Sequence, residues 1–326
     1  MFSLGIPVGW MLGPMLVTAG HNLIFEVPWR LPGWLRRGGE ILLGATIGSL
    51  VTPEVVAFIA QNSVAALISI GGAVLAGLAC GRALLGRSNL DLQTSFYATT
   101  VGGAAEMISL ADSHGADSRL VAIYHSLRIG LVVFFIPLAA TFFFAEGEVS
   151  VRSATQWDMA HLVADLGVLG VAAVGAFLAQ RFKLPGGTLI GVLLAVASFN
   201  LFVFELPALP REFRYAAQFL IGASIGCGFD LASMRQIRAL LPLIFQGIAL
   251  VIALSFLWAL LMWWVTPFDF LTSFLSTAPA GAADMTAAAL ALGANAPVVA
   301  ALQSLRLVGI TILMPWVIHR FIVPPR

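Results

Sequence analysis

Charge is what this chain has least of. Only 10% of its 326 residues are Asp, Glu, Lys or Arg, against about 25% in an ordinary soluble domain. So little charge cannot cover the surface of a water-soluble protein of this size. The net charge is +1 and the basic residues come singly or in pairs. No basic stripe exists to neutralise phosphates, so nucleic acid is excluded as a partner and a DNA-binding regulator lacks its module. The two cysteines, Cys80 and Cys227, lie in apolar or glycine-rich segments and exclude a disulfide framework. The five histidines, His21, His114, His125, His161 and His319, include no ligand-spaced pair. A copper or iron oxygenase site therefore lacks its ligands, and neither a metal nor a cofactor is expected. Met1 to Gly20 has no basic n-region and no clear cleavage site, so it does not read as a signal peptide.

What fills the chain is apolar. Hydrophobic residues make up 60% of it, and the mean hydropathy is +0.96. They come in runs such as Leu131 to Phe144, Leu162 to Ala179 and Ile244 to Val265. A spanning helix needs roughly 20 mostly apolar residues. The fold class is therefore all-α, and the expectation is a polytopic protein whose largest partner is the lipid bilayer.

The chain also matches itself at a shift of 178 residues. Pro7, Gly9 and Gly13 fall on Pro185, Gly187 and Gly191. The stretch Leu42 to Gly48 falls on Leu220 to Gly226, and Thr94 to Pro137 falls on Thr272 to Pro315 with 17 identities in 44 positions. Such self-similarity sets the architecture. Each copy reads as five hydrophobic segments: roughly 5–25, 38–58, 62–82, 92–111 and 119–144, then 184–206, 214–233, 239–265, 270–291 and 297–319. A further helix over about 161–181 links them. The organisation is thus a first membrane repeat (1–145), a linker with an extra helix (146–182), and a second repeat (183–326).

Orientation follows from where the basic residues fall. If all segments cross, the copies run parallel; if each fourth segment is re-entrant, they are inverted. Leaving out Arg128 and Arg306, which lie inside segments, the first arrangement puts 10 Lys and Arg inside and 5 outside; the second puts 12 inside and 3 outside. The positive-inside rule favours the inverted arrangement, and inverted repeats with broken midplane helices mark secondary transporters.

The fourth segments carry the chemistry. One reads Thr99-Thr100-Val101-Gly102-Gly103-Ala104-Ala105-Glu106-Met107, the other Thr277-Ala278-Pro279-Ala280-Gly281-Ala282-Ala283-Asp284-Met285. Each holds small residues, a helix breaker and one carboxylate. Backbone that leaves the helical path at membrane depth must line a cavity or be buried in protein, and its freed N–H groups attract polar ligands. Close packing through small residues is the competing reading, but packing does not require an acid. Glu106 and Asp284 each have an arginine 22 residues on, Arg128 and Arg306, within Ser-Leu-Arg. Either these arginines pair with the acids as a structural lock, or they fork onto a substrate carboxylate. His125 and Gln303 precede them by three residues. A titratable ring opposite a neutral amide suits proton coupling; a satisfied interior histidine is the competing reading. Gly44-x-x-x-Gly48 and Gly222-x-x-x-Gly226 read as helix contacts. Asn22 and Asn200 read as caps or hydrogen bonders within the first segment of each copy.

These motifs carry a family resemblance over nearly the whole chain. The paired small-residue motifs ending in Glu106-Met107 and Asp284-Met285 are each followed by Gly-Ala-Asp/Asn and Ser-Leu-Arg. Together with Leu43-Gly44-Ala45-Thr46-Ile47-Gly48, they resemble the duplicated AbrB-type bacterial membrane proteins, commonly labelled ammonia monooxygenase or regulator. The resemblance implies kinship with cation–proton antiporters and anion transporters, and a core bundle moving against a scaffold. It also implies a bacterial inner-membrane location. This chain departs by lacking the first helix of its first copy, which makes it a short member or leaves that helix to a homodimer partner. The expectation is a secondary transporter rather than an enzyme, moving a small molecule or ion by alternating access with H⁺ or Na⁺ coupling open. A non-transporting regulator or assembly partner, and less so an intramembrane enzyme, are the alternatives.

Overall fold

The computed structural model describes residues 9–25, 28–88, 90–144, 159–184, 187–204, 206, 207, 209–229, 231, 235 and 238–318. Regular structure among them is helical. The helices are α1 (Gly9–Ile24), α2 (Gly33–Gly48), α3 (Pro53–Gln61), α4 (Ser63–Leu85), α5 (Leu92–Thr99), α6 (Ala104–Ser113) and α7 (Ser118–Phe144). They continue as α8 (Met159–Arg181), α9 (Gly187–Phe202), α10 (Arg211–Gly226), α11 (Leu241–Val265), α12 (Phe270–Thr277), α13 (Ala282–Leu292) and α14 (Ala296–Val317). Five of them, α4, α7, α8, α11 and α14, are long and apolar enough to cross a membrane; α2 with α3 makes a sixth if that bent pair is one span. The protein is a polytopic, all-α membrane protein. The polar linker over 145–158, Pro7 and the pair Pro185-Gly186 lie outside the described residues.

Six helices of the first copy begin 178 residues before their counterparts: α1 and α9, α2 and α10, α4 and α11, α5 and α12, α6 and α13, α7 and α14. One pair shows how the copies are related. Gly72 of α4 packs under the Trp258 ring of α11. Further along α4, the Cys80 thiol meets the Gly247 carbonyl at 3.7 Å, near the start of α11. These two equivalent helices therefore run antiparallel, as an inverted arrangement of the copies requires.

Two helical groups emerge from the packing. Helices α1, α2, α8, α9 and α10 contact one another, while α4 to α7 and α11 to α14 form the other bundle. The first group is held by close backbone approach. Gly44 and Gly48 seat against Leu189, Val192 and Val196 of α9, and Gly222 and Gly226 against Met11, Met15 and Thr18 of α1. Thr18 Oγ1 donates across that contact to the Ala223 carbonyl, 3.2 Å away. The packing reading of both glycine pairs describes these contacts.

Two expectations need correction. The second segment is not one run over 38–58, because α2 ends at Gly48 and α3 leaves at 91°. Pro53 is the cause: it has no N–H to give and disfavours helical backbone in the residue before it. Thr52 is extended and caps α3, its hydroxyl accepting from the Val55 N–H. The asparagines also act beyond their own segments. Asn22 accepts from the Trp29 N–H at 2.7 Å and donates to the Cys227 carbonyl. Asn200 donates to the Val51 carbonyl at 2.9 Å and accepts from the Leu206 N–H at 2.7 Å. Each asparagine ties a loop of its own copy to the other copy.

A side chain at Gly222 would overlap the Met11 backbone, whereas one at Gly71 meets nothing. Gly222→Ala is therefore expected to cost about 1–3 kcal/mol as an overpacked contact, and Gly71→Ala to be neutral or mildly stabilising. Thermal unfolding of the purified protein in detergent reads both.

Candidate functional site

Each fourth segment is a hairpin. Helix α5 enters, the chain breaks over Thr100–Gly103, and α6 returns. The return is fixed by one hydrogen bond: the Asp117 N–H donates to Thr94 Oγ1 at 2.8 Å, joining the start of α5 to the start of α7. The second hairpin repeats the closure, with the Asn295 N–H donating to Thr272 Oγ1 at 3.0 Å. Asp91 and Asp269 cap the entering helices, accepting from the Thr94 and Thr272 N–H groups. Eight residues of α5 or α12 reach about 12 Å, close to half of a hydrocarbon core of about 30 Å. In an inverted arrangement the two hairpins enter from opposite sides.

Their tips meet. A small cavity of about 30 Å³ is lined by Gly102 and Gly103 of one tip and by Ala280 and Gly281 of the other, with Gln303 and Arg306. Beside it opens a cavity of about 430 Å³. Its walls include Gly103, Ala104 and Glu106 from the first hairpin, Gly281 to Asp284 from the second, Arg36 and Glu40 of α2, Ser126 of α7, and Ser224 of α10.

The two buried arginines hold the tips. Arg128 donates to the Thr100 carbonyl at 2.6 Å and the Gly102 carbonyl at 3.3 Å. Arg306 donates to the Ala278 carbonyl at 2.7 Å and the Ala280 carbonyl at 2.9 Å. These are carbonyls that the break strips of helical partners, at the negative end of each entering half-helix. The guanidinium groups cap those ends. Among the described ion pairs, neither arginine is partnered with Glu106 or Asp284.

His125 and Gln303 play one role in two chemistries. A backbone carbonyl only accepts and a guanidinium only donates. His125 Nε2 therefore donates to the Tyr97 carbonyl at 3.1 Å, and Nδ1 accepts from Arg128 at 3.1 Å. Gln303 Nε2 donates to the Leu275 carbonyl at 2.7 Å, while its Oε1 accepts from Arg306. The ring is the neutral counterpart of the amide, and both of its nitrogens are engaged. The expectation of a proton-coupling histidine gives way to the satisfied interior one.

The threonines turn away from the cavity. Thr99 Oγ1 donates to the Gly77 and Ser95 carbonyls, both at 3.0 Å, and Thr277 Oγ1 to the Ser255 carbonyl at 3.1 Å. Thr100 Oγ1 donates to the Phe96 carbonyl at 2.7 Å. These hydroxyls fasten the hairpins to α4 and α11 and to their own half-helices. Pro279 is buried within the second tip.

The carboxylates do face the cavity. Glu106 and Asp284 occupy the third position of α6 and α13, whose glycine N-caps have no side-chain cap. Each acid folds back over its glycine: a Cβ on Gly103 would run into the Glu106 carboxylate, and one on Gly281 would lie 2.5 Å from Asp284 Oδ2. Only glycine leaves that room. Asp284 is 0% exposed, and neither of its oxygens has a hydrogen-bond partner among the described residues. Its nearest cation is Arg36, at 3.9 Å, which also donates to Glu40 at 3.0 Å. Arg36 and Glu40 are the site residues that the motif reading missed. Their signal was present, since Arg36-x-x-x-Glu40 falls on Arg214-x-x-x-Gln218 at the same shift of 178.

Two broken-helix hairpins whose tips meet at an acidic cavity mark a polytopic membrane protein with interrupted helices. The family model described as "Transition state regulatory protein AbrB" matches residues 10–322, and the chain belongs to that family. It is similar to "Putative regulator AbrB" of Escherichia coli (strain K12), 31% identical over 97% of this chain and 90% of the relative. It is also similar to "Uncharacterized protein YhjN" of Bacillus subtilis (strain 168), 25% identical over 95% of this chain and 86% of the relative.

His125→Gln is expected to unfold within about 0.5 kcal/mol of the parent, because glutamine supplies the same donor and acceptor. His125→Leu leaves two buried groups unpaired and is expected to cost about 2 kcal/mol or more. Denaturation in mixed detergent micelles separates the two.

Proposed function

We propose that this protein is a secondary transporter of the bacterial inner membrane, moving a small solute by alternating access through the cavity between the hairpin tips. The observation that carries the reading is Asp284: a wholly buried carboxylate on the wall of a cavity between the two hairpin tips. Its side-chain oxygens have no hydrogen-bond partner among the described residues and only Arg36, at 3.9 Å, as a charge partner. A charge left this way inside a membrane is a functional group by default. A packing role would have satisfied it.

The charges facing the cavity favour a positively charged solute or coupling ion. Its described lining holds three carboxylates, Glu40, Glu106 and Asp284, and one guanidinium, Arg36. Arg128 and Arg306 are committed to the hairpin carbonyls and are not substrate ligands in this reading. The two helical groups supply the moving parts, with the hairpin bundle as the core and α1, α2 and α8 to α10 as the scaffold. Coupling to H⁺ or Na⁺ is part of the proposal, with Asp284 and Glu106 as the exchanging groups. No cofactor and no enzymatic turnover are invoked.

The experiment is reconstitution into proteoliposomes with a gradient of H⁺ or Na⁺. The panel is amines, cationic amino acids and alkali cations, with carboxylates as the contrast set. Gradient-driven uptake of a cationic solute is expected, falling to the empty-vesicle level in Asp284→Asn and at least tenfold in Glu106→Gln. Absence of flux for the whole panel, with the cellular phenotype intact in both variants, sinks the reading. It would leave the non-transporting regulator suggested by the printed name of the Escherichia coli relative.

A further inference from the structure

The two copies have the same helices but not the same contacts. In the second copy α10 lies along α13: Gln218 Nε2 donates to the Ala287 carbonyl at 3.3 Å, and Arg214 Nη1 reaches the Leu290 carbonyl at 3.5 Å. That seam is dry. Arg214 is 7% exposed, Gln218 1%, Ala287 0% and Leu290 1%. The equivalent residues of the first copy are Arg36 and Glu40 on α2, with Ser109 and Asp112 on α6. There the seam is open. Ser109 and Asp112 are exposed, and the Arg36 side chain is 40% exposed. Arg36 and Glu40 line the 430 Å³ cavity together with Glu106 instead of closing on α6.

An inverted repeat makes this asymmetry informative. Two copies of one unit can exchange roles, and exchanging them turns the structure over in the membrane: the open seam closes and the closed one opens. The partner state can therefore be written down residue by residue. We infer that the protein has a second conformation in which α2 packs along α6, with Arg36 and Glu40 facing the Asp112 and Ser109 backbone, while α10 withdraws from α13. In that state Arg214 takes the place beside Glu106 that Arg36 now holds beside Asp284. Arg36 and Arg214 are then the two gate arginines, each beside the opposite copy's carboxylate only while its own seam is open. The inference rests on the transporter reading for its purpose, but it concerns contacts that can be read without any substrate.

Bundle geometry agrees with this exchange. The closed seam joins α10 of the scaffold to α13 of the hairpin bundle, and among the described residues no comparable contact joins α2 to α6. One shift of the hairpin bundle along the scaffold trades one seam for the other. The hairpins themselves stay intact, because their arginine caps, threonine fasteners and closing hydrogen bonds join parts of the hairpin bundle to each other.

The test is paired-cysteine cross-linking in native membranes, on a background carrying Cys80→Ala and Cys227→Ala. Arg214→Cys with Leu290→Cys reports the seam that is closed here. Arg36→Cys with Asp112→Cys reports the seam that is open here, and Glu40→Cys with Ser109→Cys samples that seam one turn along. The Glu40 and Ser109 pair stands in should the first pair not survive gel filtration. A short bis-methanethiosulfonate is expected to link all three pairs. Adding Arg214→Ala and Gln218→Ala should raise the rate of the open-seam links at least threefold, because the closed seam then loses its hydrogen bonds. If only the 214–290 pair ever links, or the open-seam rate ignores those substitutions, the second conformation is wrong. Proteoliposomes without flux but with both seams linking would overturn the transporter reading alone.

Discussion

The structure depends on one interaction made twice: a buried guanidinium holding the broken end of a half-helix. Inside a bilayer an unsatisfied carbonyl costs several kcal/mol, so a chain that stops being helical there needs donors brought to it. Arg128 and Arg306 bring them to Thr100, Gly102, Ala278 and Ala280. Each arginine lies ten residues into its helix, about 15 Å from the start. That depth matches the reach of an eight-residue half-helix entering beside it. Helix length, break position and arginine position form one consistent measurement of half a membrane.

The cap also decides what is left over. With the carbonyl ends neutralised by the arginines, the opposite ends of the breaks remain: the N-termini of α6 and α13, each with a glycine cap and a carboxylate in the first turn. A negative group at a helix N-terminus is favourable. Glu106 and Asp284 can thus sit at membrane depth without taking the arginines as partners. Separating the charges in this way, cations on the carbonyl side and anions on the amide side, leaves both acids on the cavity wall.

Much of this was legible in the sequence because duplication doubles every signal. A lone Gly-Ala-Ala-Asp could be packing, but two such segments at the same offset, each with an acid and a following arginine, cannot be coincidence. The distribution of Lys and Arg favours the inverted arrangement, and the antiparallel contact of α4 with α11 agrees with it. What was not legible was the partner of each polar group. An arginine 22 residues after each acid suggests either a salt bridge or a substrate clamp, yet the acceptors are backbone carbonyls, which no residue letter marks. The role of His125 was hidden for the same reason, since its equivalence to Gln303 is one of hydrogen-bond geometry rather than residue type. Arg36 and Glu40 were passed over because a charge near a helix end reads as an anchor until the cavity is seen.

Divergence between the copies sets which seam is closed. The face of α13 toward α10 carries Ala287 and Leu290, while the matching face of α6 carries Ser109 and Asp112. Wetting Leu290 forfeits about 1.5–3 kcal/mol of apolar burial, whereas Ser109 and Asp112 are at ease in water. Glu40 in place of Gln218 acts in the same direction, because a carboxylate cannot donate to a backbone carbonyl as the Gln218 amide does to Ala287. A difference of about 2 kcal/mol corresponds to roughly a thirtyfold preference for the arrangement seen. On the proposed transporter reading, that is large enough for one state to dominate and small enough for a bound cation, by differential affinity alone, to reverse it.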